Sequence, residues 1–226
     1  VKERGIFVFL TLQLMKIKRF IFNPFQENTF VLYDKSRECV IIDSGCYEKA
    51  EEKELEDFIT EKKLKPVALL NTHCHIDHIL GNQFVAEKWG VELQMHKNDL
   101  PLLENAGQIS KMYWLENYSG SPYPKHFLKD GDTFSFGKSK LDVIFTPGHA
   151  PGHICFYSKQ HNFIISGDVI FQMSIGRTDL PFGDYDTLIN SITKKIFPLP
   201  GQTQIHCGHG PSTVLNYERE HNPFLQ

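Results

Sequence analysis

The sequence predicts an α/β protein made of two β-rich layers, each covered by helices. Three observations carry that expectation. Short β-branched and aromatic runs alternate with amphipathic helical stretches. The order strands-then-helices occurs twice along the chain. No proline- or glycine-rich linker separates the two halves, so the layers must pack on each other to bury their apolar faces. The 226 residues are 41% hydrophobic and 23% charged. A chain of this length buries roughly 70% of the surface it would expose unfolded, enough for a full core.

The elements follow in order. Apolar runs at 17–22, 28–33 and 39–43 read as strands, broken by Asn23-Pro24 and Asp34-Lys35-Ser36. Residues 48–63 predict a helix, because Leu55, Phe58, Ile59 and Leu64 share one face and Pro66 ends the run. A short buried strand is expected at 67–70, a helix at 82–89, a strand at 91–95 and a helical turn or two at 97–104. Residues 105–126 mix aromatics with glycine and proline and read as a surface loop or lid. Strands return at 133–136, 140–145, 154–157 and 163–166. A helix at 185–196 is entered from Asp184, a last strand falls at 203–206, and the tail from Pro211 holds at most a short helix. Residues 15–226 read as one domain. Residues 1–14, an apolar run behind a charged Val-Lys-Glu-Arg start, read as an upstream extension or an extra edge strand.

Composition excludes several classes of partner. No run approaches the ~20 apolar residues that span a bilayer, so no membrane partner is expected. The net charge is −3, from 24 basic and 27 acidic residues without a basic stripe, so nucleic acid is not an expected partner. The cysteines, Cys39, Cys46, Cys74, Cys155 and Cys207, are odd in number and irregular in spacing. That argues against a disulfide framework and for a reducing, cytoplasmic compartment. Nothing in the sequence specifies an oligomeric state.

The chemistry is concentrated in four segments. Thr72-His73-Cys74-His75-Ile76-Asp77-His78 follows a predicted strand and sets three imidazoles and a carboxylate within six residues. Imidazole and carboxylate together suit divalent metal ions. His73 and His75 are two apart, so in extended chain they point the same way, and His78 can face a second ion after a turn. Thr146-Pro147-Gly148-His149, Ser166-Gly167-Asp168 and Cys207-Gly208-His209-Gly210 each follow a strand and each set one further donor beside glycine. Glycine permits the backbone shapes and close approach that a crowded site needs, and strand ends are where rigid scaffolds present functional loops.

These segments resemble the metallo-β-lactamase superfamily. THCHIDH is similar to its T-H-x-H-x-D-H signature, and TPGHAPGH, SGDVIF and CGHGP resemble its later motifs in the same order. The similarity runs from about Met15 to the end. It is strongest to the short glyoxalase II-like thioesterases, through IGRTDLPFGDYDTL and the ending HGPSTVLNYERE-x-NPFL. The resemblance implies an αββα sandwich. It implies a first metal held by His73, His75 and His149, a second held by Asp77, His78 and His209, and Asp168 bridging both. Asp77 and Asp168 are then the catalytic carboxylates. One departure is Cys207, where close relatives usually carry proline. Two such ions share a hydroxide and polarise a carbonyl. Zinc suits the donors best, with iron or manganese alternatives. The implied reaction is hydrolysis of small acyl thioesters such as S-lactoylglutathione. A persulfide dioxygenase with a single iron is the alternative, as is a lactonase or β-lactamase on the same fold.

Weaker signals surround this set. His153 is read as hydrogen-bonding beside the metals rather than as a ligand. Cys74, between two ligands, is read as a small buried thiol turned away from them. Arg177 either anchors a substrate carboxylate or pairs with Asp179. Tyr113 and Trp114, with Tyr118 and Tyr123, are candidates to line a substrate groove.

Overall fold

The computed structural model describes residues 15–226; the expectation of an extension or edge strand at 1–14 lies outside the described residues. Strands β1 (Lys16–Phe22), β2 (Glu27–Tyr33), β3 (Glu38–Ile42), β4 (Lys65–Leu70), β5 (Leu93–His96) and β6 (His126–Leu128) form the first six-stranded sheet in that order. Its first two pairings are antiparallel and the next three parallel. The second half contributes β7 (Thr133–Phe136), β8 (Ser139–Phe145), β9 (Ile154–Ser158), β10 (Phe163–Gly167), the ribbon strands β11 (Ile170–Phe171) and β12 (Ser174–Ile175), then β13 (Gln204–Cys207) and β14 (Thr213–Val214). The second sheet has the order β14-β13-β10-β9-β8-β7.

The period-2 pattern of these strands sorts their side chains between layers. Phe30 and Leu32 of β2, Val40 and Ile42 of β3, Ile154 and Phe156 of β9, and Phe163 and Ile165 of β10 meet in one cluster between the sheets. Their alternating neighbours face outward. Val31 and Ile41 pack beneath α1 (Lys49–Glu61), α2 (Asn82–Trp89) and α3 (Leu100–Met112), through Leu55, Val85 and Leu103. Cys155, Ile164 and Ile205 pack beneath α4 (Tyr185–Ser191), the turn that follows it and α5 (Leu215–His221), through Leu188, Ile192 and Leu215. The result is the αββα layering that the resemblance implies. Each buried strand is covered on both faces, which is why its sequence is almost continuously apolar.

Most predicted elements agree with the structure to within a few residues. Asp184 enters α4 as expected, its Oδ1 accepting the Thr187 N–H at 2.8 Å. Past Ser191 that helix widens into a π turn over Ile192–Ile196. The clear correction concerns 105–126. Helix α3 runs on to Met112, and His126 opens β6, so only the middle of this stretch is irregular. Gly107 costs the helix about 1 kcal/mol relative to alanine. Leu103, Ala106 and Ser110 are nevertheless buried at helical spacing, and this burial outweighs the glycine. No helix among the described residues is long and apolar enough to cross a membrane. All five cysteines are free and buried.

Candidate metal centre

The seven sequence-predicted donors converge at one edge of the sandwich. His73 and His75 lie in the loop after β4, and a single 3₁₀ turn, Ile76–His78, turns Asp77 and His78 back toward them. His149 follows β8, Asp168 follows β10 and His209 follows β13. Strands β8, β10 and β13 run in the same direction, so their C-terminal ends share that edge. Backbone bonds lace the loops together. Ile154 N–H donates to Thr72 O at 2.8 Å, Gly208 N–H to Gly167 O at 2.8 Å, and Asn28 N–H to Gly208 O at 2.7 Å. The last bond ties the first sheet to the second. Gly208 is required here, because a Cβ at that position would stand 2.1 Å from Asp168 Oδ1.

Two groups of three donors result, His73–His75–His149 and Asp77–His78–His209. In the first, His149 Nε2 lies 2.8 Å from His75 Nδ1 and 3.3 Å from His73 Nε2. In the second, His209 Nε2 lies 3.0 Å and His78 Nε2 3.7 Å from Asp77 Oδ2. Asp168 stands between them. Its Oδ2 is 3.5 Å from His149 Nε2 and 3.6 Å from His209 Nε2, and its Oδ1 is 3.5 Å from His78 Nε2.

The opposite ring nitrogens are fixed by partners, which sets the tautomers. His149 Nδ1 donates to Arg177 O at 2.7 Å and His209 Nδ1 to Phe25 O at 3.1 Å. Thr72 Oγ1 donates to Asp43 Oδ2 at 2.6 Å and so accepts from His73 Nδ1 at 3.0 Å. His78 Nδ1 faces Asp43 Oδ2 at 3.2 Å. For His73 and His149 this leaves the Nε2 lone pair toward the centre, whereas Nε2 of His78 and of His209 faces the carboxylates of Asp77 and Asp168. His153, fully buried, accepts the Asp168 N–H on Nε2 at 3.1 Å and meets Thr146 Oγ1 with Nδ1 at 3.1 Å.

The residues present fit two divalent ions. His78 Nε2 and Asp168 Oδ1 are buried without a hydrogen-bond partner, and both point into the space between the groups. An unsatisfied buried nitrogen and carboxylate oxygen aimed at each other across 3.5 Å are costly unless something is bound between them. Electrostatics agree. Burial pushes His73 well below the ordinary imidazole range, takes His75 down to about 3 and lowers His149, so the first group offers neutral rings. Burial also opposes charge on His78 and His209, but Asp77 and Asp168 outweigh it and raise both. Burial would by itself raise the Asp77 and Asp168 carboxyls. The surrounding imidazoles hold both below the usual carboxylate range instead. A further grouping, Asp43–His73–His78, is support rather than a third site. Asp43 already accepts from Thr72 N–H at 2.7 Å and from the Thr72 hydroxyl, and it reaches His78 on the ring nitrogen facing away from the centre.

Above the donors opens a cleft of about 780 Å³. Tyr113 lines it, its ring edge-on to Phe25 at 5.5 Å. Trp114 does not: it is 84% exposed and borders a separate pocket, because Tyr113 caps α3 and the chain reverses there with Trp114 at φ +55°. Tyr118 and Tyr123 also lie off the cleft. Arg177 lines the cleft, but its guanidinium grips Asp179 through two bonds of 2.7 Å. Cys74 turns its thiol toward Met95 Sδ at 3.5 Å, on the helix side of the sheet.

Two supporting carboxylates escaped the sequence reading. Asp43 follows β3 in Ile-Ile-Asp-Ser-Gly, the same strand-then-polar-then-glycine pattern as the donor segments, and could have been found by it. Asp99 caps α3. Its fully buried carboxylate takes the Cys74 N–H at 2.8 Å and the Gly152 N–H at 2.5 Å, one from each of two donor loops. No local pattern marks it, since only the fold brings positions 74, 99 and 152 together.

The sequence model of the Metallo-beta-lactamase superfamily matches residues 22–211, and the chain belongs to that superfamily. Among its relatives, the probable metallo-hydrolase YqgX of Bacillus subtilis is 38% identical over 93% of this chain and 98% of its own length. The hydroxyacylglutathione hydrolase GloC of Haemophilus influenzae is 34% identical over the same shares. Among solved structures, the BLEG-1 B3 metallo-beta-lactamase superposes with a TM-score of 0.86 at 35% identity, over 93% of this chain and all of that one. TTHA1623, solved in a di-iron-bound form, superposes at 0.82 and 35% identity, over 92% of this chain and all of that one.

Proposed function

We propose that the chain hydrolyses small acyl thioesters, with S-lactoylglutathione the first substrate to test. The observation that carries this reading is a seven-donor centre opening on a cleft with no acid to spare. Beyond the donors, the residues with ionisable side chains that line the cleft among the described residues are Cys74, whose buried thiol lies against Met95, Tyr113 and Arg177. None is a carboxylic acid placed to protonate a departing amine. A thiol, with an ordinary pKa of about 8.5, departs as thiolate without that help. The 34% identity to a hydroxyacylglutathione hydrolase supports the same class.

Within this reading, His73, His75 and His149 would hold one divalent ion and Asp77, His78 and His209 the other, with Asp168 placed to serve both. When bound, such a pair lowers the pKa of water and polarises a carbonyl. The chain supplies the rest. Thr72, Asp43 and the carbonyls of Phe25 and Arg177 fix the rings, so the donors do not reorganise during turnover. Asp99 holds the 73–75 and 149–153 loops at one spacing. Apolar side chains line the cleft beside the donors. Zinc fits the all-nitrogen-and-oxygen set, and the di-iron form of TTHA1623 supports iron as an alternative.

The 35% identity to a B3 metallo-beta-lactamase favours β-lactam opening as a second reading. The two are separated by one panel of thioester, lactone and β-lactam substrates, run on metal-loaded protein with free thiol titrated as product. Thiol release well above the rates on the other two classes supports the proposal. Metallated protein that leaves every thioester intact but opens β-lactams or lactones, or that consumes oxygen on a persulfide, overturns it.

A further inference from the structure

We propose, resting on the thioesterase reading, that the acyl group taken by this site is an aliphatic chain recognised by burial rather than by charge. The cleft argues for it wall by wall. Helix α3 offers Leu102, Ile109 and Met112, and the segment after Asp168 faces it with Phe171, Leu180 and Phe182. The same cleft is lined by the donors His75, Asp77, His149, Asp168 and His209, so a chain lying among the apolar side chains has its carbonyl in the cleft that holds Asp168 and His149. Met112 and Phe182 stand at the mouth, 70% and 62% exposed. Apolar side chains left in water around a functional cleft mark a surface that gains by being covered. A flexible methionine accommodates chains of differing length.

Charge argues the same way. Apart from the donor histidines, Arg177 is the one cationic side chain lining the cleft among the described residues, and Asp179 already holds it through both oxygens. A thiol carrier with two carboxylates, as in glutathione, finds no second counter-ion there. The carrier therefore extends past the mouth into solvent, and the selectivity of the site is set by the acyl side. A lactoyl group, with one hydroxyl and one methyl, leaves most of about 780 Å³ unfilled.

The experiment uses metal-loaded full-length protein and two measurements. Calorimetry with S-methyl-, S-butyl-, S-hexyl- and S-octylglutathione, thioethers that cannot be hydrolysed, reads the cleft without catalysis. The expected Kd tightens about fourfold for each added methylene, the fold-change of about 0.8 kcal/mol per buried CH₂. Met112→Glu flattens that series while metal content stays at the wild-type value. Hydrolysis then compares S-hexanoylglutathione with S-lactoylglutathione, and kcat/KM favours hexanoyl at least about tenfold. A Kd that ignores chain length overturns the proposal, including the case in which two copies of the chain are found to cover the cleft. A preference for lactoyl overturns it too and leaves the thioesterase reading standing. Chain-length-dependent binding with no thioester hydrolysed keeps the apolar site and sinks the thioesterase reading instead.

Discussion

Asp168 is the residue at which the two donor groups meet, with an oxygen about 3.5 Å from a ring nitrogen of each. Asp168→Ala is expected to lose metal and reduce turnover to near background while the far-ultraviolet spectrum stays native, because the side chain packs against donors rather than core. Wild-type activity in that variant would overturn the assignment. Cys74→Ser is the contrasting change. Its buried thiol lies against Met95 rather than the donors, so activity should stay within about twofold, with a stability loss of about 1–2 kcal/mol from burying a hydroxyl. Asp99 gives a pH prediction. Burial raises its carboxyl to about 7 against the two N–H donors that favour its charged form. A folded-state value above the unfolded one means that the folded chain keeps the proton longer. The contribution to stability is thus full below about 4 and is lost as pH rises through about 7. In chelator-treated protein, the Tm advantage of wild type over Asp99→Asn should shrink steadily from pH 4 to pH 7. A constant difference across that range would show that Asp99 titrates normally.

At the scale of elements, strands β2, β3, β9 and β10 were legible because burial on both faces leaves little choice but β-branched and aromatic residues. The ribbon β11–β12 was not, as two residues per strand carry no periodicity. Nor was the second half of α3, where packing against the first sheet overrides Gly107. The donor loops were readable from residue type, yet their positions depend on glycines whose reason appears only in three dimensions. Gly148 has φ +129°, and a Cβ there would lie 2.2 Å from the backbone nitrogen of Leu188 in α4. Gly148→Ala should therefore push the His149 loop off α4, costing about 1–3 kcal/mol and weakening the His73–His75–His149 site before the other. Thermal melts joined to metal titration read both effects. An alanine variant with unchanged melting and two equal sites would show that the loop moves freely.

The whole molecule is two sheets whose shared edge is closed by one cluster of donors. Five of the seven come from segments that also lace the sheets together, through bonds such as Ile154 N–H to Thr72 O and Asn28 N–H to Gly208 O. The seven candidate donors were legible as histidines and aspartates grouped after predicted strands, and the structure brings them together. Asp99 was not, since no local pattern announces a contact between positions 74, 99 and 152. Bound ions stabilise only the folded chain, so a chelator should lower Tm by about 5–10 °C, the effect expected for ligand at about a hundred times its Kd. The most direct test of the account is elemental analysis of protein purified with ample metal, repeated on His78→Ala and His209→Ala. Two divalent ions per chain in the wild type are predicted, falling to about one in each variant with thioester hydrolysis lost. A firm value of one in the wild type, with both variants fully active, would contradict the two-ion centre and with it the hydrolytic mechanism.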